Sequence, residues 1–191
     1  MRVLPRRFYR ADSRELAPRL LNKVLVMGNR QGRIVEVEAY AGLEDPGSHA
    51  YRGRTRRNAT MFGPEGHLYV YLSYGMHWCA NVVCAHDEVP HAVLLRALAP
   101  MAGVDEMRTA RPTARRDRDL CSGPGRLCQA LGIVGNFDGA DLTDRTGGPW
   151  IGDDGTPPPI EPMVSTRIGL SNGAEHAWRW YVPGDPNVSR R

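Results

Sequence analysis

Short runs rich in valine, leucine and tyrosine recur along this chain, and glycine, proline or asparagine interrupts them before a long core helix can form. Residues 24–27, 33–40, 68–72, 77–84 and 91–98 have the length and the apolar or aromatic content of strands. Two of the joins, Gly28-Asn29-Arg30-Gln31-Gly32 and Ser73-Tyr74-Gly75-Met76, are tight turns followed by a return strand, which points to antiparallel pairing. Two more strands are expected at 165–170 and 178–182. Helices are expected at 13–22, where Asp12 and Glu15 form a capping-box pattern, and at 103–111. A third is expected at 123–132, with Ser122 as N-cap and Pro124 near its first position. Pro18 shortens or kinks the first of these. Residues 41–66 read as loop, and residues 147–162, dense in Gly, Pro and Asp, as a mobile loop. There is no internal repeat. The expectation is one α+β domain, residues 1–191, around an antiparallel sheet.

A chain of 191 residues with 41% apolar and 24% charged content can bury the core of one such domain. No apolar run approaches the roughly 20 residues that span a bilayer. The basic start, Met1 to Arg7, is followed by no apolar segment, so no signal peptide and a cytoplasmic location are expected. Cys79, Cys84, Cys121 and Cys128 form no C-x-x-C pair and read as reduced core thiols; neither a metal nor a cofactor is expected. Lys23 is the sole lysine, and all the other basic residues are arginine. GC-rich coding accounts for that bias as readily as a phosphate-binding surface does.

The strand 33–40 holds the most suggestive chemistry. Alternation puts Val35, Val37 and Ala39 on one face and Ile34, Glu36, Glu38 and Tyr40 on the other. Two carboxylates so placed lie about 7 Å apart. They are either a solvated face or a hydrolytic site, and alternation does not choose between Glu36 and Glu38. The loop around His49 contains Arg52, Arg54, Arg56 and Arg57, read as a solvated surface or as a phosphate-backbone contact. Arg126 adds charge at the start of the third helix. The tip of the 68–84 hairpin carries Tyr74, Gly75, Met76 and His77, which either fold back on the core or form a wedge for the minor groove.

These segments follow one another in a recognisable order. The run 33–40, His49, Met61-Phe62, residues 68–81, Val93 to Pro100 and Asp119 to Leu131 closely resemble the alkyladenine (3-methyladenine) DNA glycosylase family of the mammalian N-methylpurine type. The likeness extends from about Phe8 to Ser189. It implies a mostly antiparallel, curved sheet with surrounding helices and a protruding β-hairpin, like the C-terminal domain of methionyl-tRNA formyltransferase. It also implies a site. Glu38 matches the general base that activates water, and Arg96 the arginine that helps hold that water. Tyr40, His49 and Tyr71 match the pocket that stacks and hydrogen-bonds a flipped base, with Leu94 in its wall. Asn81 matches an asparagine that crowds the exocyclic amine of guanine. Tyr74 matches the tyrosine inserted through the minor groove, beside Met76 and His77. Arg54, Arg56, Arg57 and Arg126 are the candidates for the DNA backbone. His77 stands where mammalian-type sequences have an aromatic, and residues 147–162 have no clear counterpart.

The implied partner is double-stranded DNA containing damaged purines: 3-methyladenine, with 7-methylguanine, ethenoadenine and hypoxanthine as further substrates. The implied product is an abasic site, passed to an abasic-site endonuclease, and the implied state is a monomer with no membrane association. The isolation of Lys23 from the pocket motifs predicts hydrolysis by water without strand cleavage. The competing readings are a non-catalytic damaged-DNA-binding module and a sugar hydrolase using Glu36 and Glu38 as a pair.

Overall fold

The computed structural model describes residues 1–86 and 88–189. Its elements are β1 (Arg2–Val3), α1 (Ser13–Leu20), β2 (Val24–Met27), β3 (Arg30–Tyr40), β4 (Leu68–Ser73), β5 (His77–Cys84), β6 (His91–Ala102), α2 (Val104–Ala110), α3 (Pro124–Leu131), β7 (Trp150–Asp153), β8 (Met163–Ser165) and β9 (Arg179–Tyr181). The fold is α+β, and the strands join into one sheet of order β1-β7-β2-β3-β6-β5-β4, with β9 pairing both β3 and β8. Every pairing between these strands is antiparallel. The two expected hairpins appear as β2–β3 and β4–β5.

Strand alternation decides what each face of the sheet does. Val37 and Ala39 of β3, Val93 and Leu95 of β6, Ala80 and Val82 of β5, and Leu68 and Val70 of β4 join one buried cluster with Leu16 and Leu20 of α1 and Leu127 and Leu131 of α3. Truncating one of these leucines to alanine costs about 2–5 kcal/mol. The intervening residues make the opposite face. Cross-strand pairing sets Tyr69, Asn81, Leu94 and Glu38 in one row across four strands, each opposite the next. A smaller cluster of Ala50, Met61, Phe62, Tyr69, Val83 and Ala92 packs on that face, under the segment 59–62.

The structure corrects the sequence reading in five places. Alternation along 33–40 is not strict. The β3–β6 register slips on both sides of Glu36, so that Val35 and Arg96 lack partners. Ile34 therefore joins Val37 and Ala39 in the main core cluster, while Val35, also fully buried as expected, lies outside that cluster. Second, the segment 147–162 is not loop throughout, because Trp150–Asp153 forms β7 between β1 and β2. Third, the N-cap of α3 is Gly123, whose φ of 136° leaves Ser122 outside and makes no side-chain cap. Fourth, the strand expected at 165–170 ends at Ser165, beyond which Arg167 turns into the interior. Last, α1 stops at Leu20, before the positive φ of Asn22.

Candidate active site

Glu36 and Glu38 are both wholly buried, which removes the solvated-face reading. They differ in what surrounds them. Glu36 Oε1 accepts from Arg96 Nε at 3.0 Å, Arg179 Nη1 at 2.8 Å and Ser189 Oγ at 3.0 Å, while Oε2 accepts the Ser189 amide at 2.7 Å. This carboxylate is held by two guanidinium groups and a chain segment, and acts as an anchor. Glu38 Oε1 accepts the Ile168 amide at 2.7 Å and lies 3.2 Å from Arg96 Nη1. Its Oε2 accepts the Tyr40 hydroxyl at 2.9 Å, which leaves that oxygen a further lone pair for another donor. The register slip at Glu36 brings this about: the unpaired Arg96 reaches both carboxylates with one guanidinium.

Burial pushes the Glu38 carboxyl above the ordinary glutamate range, and Glu36 adds to the effect. The Arg96 charge, the Ile168 amide and the Tyr40 hydroxyl oppose it. Burial likewise raises the Tyr40 and Tyr71 hydroxyls well above the usual phenol, so both are neutral donors.

Glu38 itself does not line a cleft, but its three partners Tyr40, Arg96 and Ile168 do, together with His49, Tyr71, Leu94, Gly169, Leu170, Arg57 and Tyr74. The inner end of this cleft runs between Tyr40, Ser48, His49, Met61, Tyr69, Tyr71 and Asn81. The Tyr69 and Tyr71 rings stack at 5.4 Å, and His49 meets Tyr71 edge-on at 4.4 Å. His49 Nδ1 is 3.0 Å from the Tyr69 hydroxyl. Partial burial and the nearby Arg57 hold the His49 pKa below that of a free imidazole, so it is neutral at pH 7. Asn81 is fixed by donating to the Tyr69 carbonyl at 3.2 Å. Glu38, Arg96, Tyr40, His49, Tyr71, Asn81 and Leu94, scattered over sixty residues of sequence, thus converge.

The hairpin tip does not fold back on the core. Tyr74 is 84% and Met76 71% exposed, and the tip is a turn with φ of 50° at Tyr74 and 69° at Gly75. Both central residues have positive φ, the primed turn that matches strand twist. His77, also exposed, faces a separate hollow that it shares with Arg126, Arg111 and the start of α3. Arg54, Arg56, Arg57 and Arg126 are exposed; Arg54 lies 3.3 Å from Glu88, and Arg57 donates to the Leu72 carbonyl at 3.0 Å. Of these four, Arg57 alone lines the cleft. All four cysteines are free and buried, with Cys79 in the cleft wall.

Sequence reasoning missed Tyr69, which its i, i+2 spacing from Tyr71 on one strand would have revealed. It also missed the Ile168 amide, Arg179 and Ser189. A backbone amide leaves no trace in residue type, and Ser189 is brought to Glu36 from 153 residues away.

The site is thus an internal carboxylate whose partners line an aromatic cleft, with an exposed tyrosine hairpin and arginines beside it. The fold and this cleft place the protein among the DNA glycosylases. Residues 7–186 match the family model described as Methylpurine-DNA glycosylase (MPG), and the chain belongs to that family. A relative from Burkholderia lata is 56% identical over 188 residues, covering 98% of this chain and 91% of the relative. A Streptomyces avermitilis protein is 46% identical over 97% of this chain and 90% of its own length. A Methanoculleus marisnigri protein is 44% identical over 99% of this chain and all of its own length. Each carries the name "Putative 3-methyladenine DNA glycosylase". Among the described residues no helix is long and apolar enough to cross a membrane.

Proposed function

We propose that this protein excises alkylated purines, 3-methyladenine foremost, from duplex DNA by hydrolysing the N-glycosidic bond of a flipped nucleotide. The observation that carries the reading is Glu38: a wholly buried carboxylate, its two oxygens oriented by Ile168, Arg96 and Tyr40, which line a cleft walled by tyrosine and histidine. An alkylated purine carries positive charge or pairs weakly, so it leaves readily and costs least to unstack. As the bond breaks, the Glu38 carboxylate stabilises the cationic sugar and takes a proton from the water that attacks it. Arg96, tied to Glu36, keeps Glu38 in place. Tyr40, Tyr71 and His49 sandwich the base, Asn81 and Leu94 limit its outline, and the neutral His49 serves neutral lesions such as hypoxanthine and ethenoadenine as a hydrogen-bonding partner. Tyr74, with Met76 and His77, fills the gap left in the stack. Arg54, Arg56, Arg57 and Arg126 hold phosphates.

The reaction ends at an abasic site. Lys23 is buried, paired with Asp153 at 3.0 Å, and lines no part of the cleft, so it is not placed to form a Schiff base. The test is to incubate the protein with duplexes carrying 3-methyladenine, ethenoadenine, hypoxanthine or uracil and to score abasic sites by alkali. Release of 3-methyladenine is expected, slowed roughly 10²–10⁴-fold by Glu38→Gln while lesion binding survives. Release undiminished in Glu38→Gln sinks the assignment of the base, and no release of any purine by the parent sinks the function. Trapping of a protein–DNA adduct with borohydride overturns the water-only mechanism.

A further inference from the structure

Behind Tyr40, away from the cleft, lies a buried ion pair that the catalytic scheme leaves unused. Arg167 and Asp45 have no exposed side-chain surface and pair in two-pronged fashion at 2.5 and 2.7 Å. The same guanidinium donates to the Ala39 carbonyl at 3.0 Å and the Gly173 carbonyl at 2.8 Å. It also stands 4.8 Å from the Tyr40 ring and 5.0 Å from the Trp178 ring, within cation–π distance of both. Asp45 in turn accepts the Ala41 amide at 3.2 Å and the Gly47 amide at 2.9 Å. The fold makes room for this group. A Cβ at Gly47 or at Gly173 would come within 2.8 Å of Arg167 Nη2, so both close approaches require glycine.

The pair is attached to Glu38 by two routes and to the loop of His49 by a third. Ile168, which follows Arg167 in the chain, supplies the amide on Oε1, and Tyr40, against the guanidinium, supplies the hydroxyl on Oε2. The turn held by Asp45 leads through Gly47 and Ser48, which line the inner cleft, to His49. Breaking a buried pair of this kind leaves an uncompensated charge, so the geometry it enforces is stiff.

We propose that Asp45 and Arg167 are positioning residues for base excision, holding the Ile168 amide and the Tyr40 hydroxyl on the Glu38 carboxylate and setting the loop that carries His49. The inference rests on the assignment of Glu38 as the base. The groups that act on Glu38 are Arg96 from β6, Glu36 and Tyr40 from β3, Tyr71 from β4 and Cys79 from β5. Arg167→Lys and Asp45→Asn leave Arg96, Glu36, Tyr71 and Cys79 in place. What they loosen is the amide and the hydroxyl, both of which favour the ionised carboxylate.

The experiment is single-turnover excision of 3-methyladenine from duplex DNA across pH, with thermal melts and lesion-duplex binding for each variant. Asp45→Asn, nearly isosteric, serves if Arg167→Lys does not fold. The expected result is a folded variant that binds lesion DNA normally, excises roughly 10- to 100-fold more slowly, and loses activity at higher pH on the acid side than the parent does. A folded variant with parental rate and an unmoved acid limb overturns the proposal. So does a rate loss with no movement of that limb, which marks a merely structural pair. A parent protein that releases no purine points instead to failure of the proposed function, and undiminished release in Glu38→Gln to failure of the Glu38 assignment.

Discussion

Arg96 in the cleft wall and Arg167 and Arg179 in the interior have 4–6% of their surface exposed, whereas Arg54, Arg56, Arg57 and Arg126 stand open to solvent. Each inner arginine has a carboxylate partner within 3.0 Å. Arg54 has one at 3.3 Å, with both side chains more than half exposed. The same residue type thus serves two ends. Inside, where water does not screen and stray charges are costly, arginine fixes geometry. Outside, screened by salt, it contributes a field whose members are nearly interchangeable. An arginine-rich composition is uninformative because it adds these two populations together.

Perturbing the two regions should give effects of different size and kind. The largest is expected from Arg96→Met, which removes the cation between two buried carboxylates. Stability should fall by about 3–5 kcal/mol in urea unfolding, with excision abolished. A parental unfolding midpoint would mean that the inner arginines are no more essential than the outer ones. Tyr74→Gly comes next. It relieves a positive φ and deletes an 84% exposed ring, so stability should hold or rise by about 1 kcal/mol. Lesion-duplex affinity should weaken roughly tenfold, about 1.4 kcal/mol, in titrations of labelled DNA. Equal affinity would show that the hairpin tip inserts nothing.

Arg57→Gln tests the outer set. The melting temperature should not change, and the slope of log K against log salt should become shallower by about 1. An unchanged slope would remove Arg57 from the phosphate contacts. The smallest effect is expected from Glu38→Gln on stability. Since the folded pKa of Glu38 is raised, the native state prefers its neutral form, and stability declines as pH rises from the unfolded value, about 4.3, through the folded one. Replacing it with neutral Gln should therefore raise the melting temperature slightly at neutral pH, with the gain vanishing on acidification toward pH 4. A lower melting temperature at pH 7 would show that the contacts of the carboxylate outweigh its desolvation. In the parent, the acid limb of kcat/KM is expected above the ordinary glutamate range if Glu38 is the base, which a pH–rate profile checks.

The strands and most of the helices were legible because period and punctuation are local properties. Residues 24–27 and 77–84 emerged with the expected bounds. Residues 150–153 did not, because a short strand among glycines and prolines is held by the two strands that flank it and not by its own pattern. Residue pattern favoured a hairpin tip folded back on the core over a wedge, and the structure placed Tyr74 in solvent. Most of the cleft residues could be named from the resemblance, yet Tyr69 was passed over although its spacing from Tyr71 was plain.

What the sequence determined by itself is the alternating pattern that puts tyrosines, an asparagine and two glutamates on one sheet face and aliphatics on the other. What the tertiary structure decided is how the two glutamates differ. Pattern left Glu36 and Glu38 equivalent, and residue-level likeness singled out Glu38. The register slip between β3 and β6 and the return of residues 168 and 189 from the far end of the chain made one an anchor between two arginines and set the other against Tyr40, Ile168 and Arg96. Those are long-range contacts in a low-dielectric interior, and no local pattern encodes which partners will meet there.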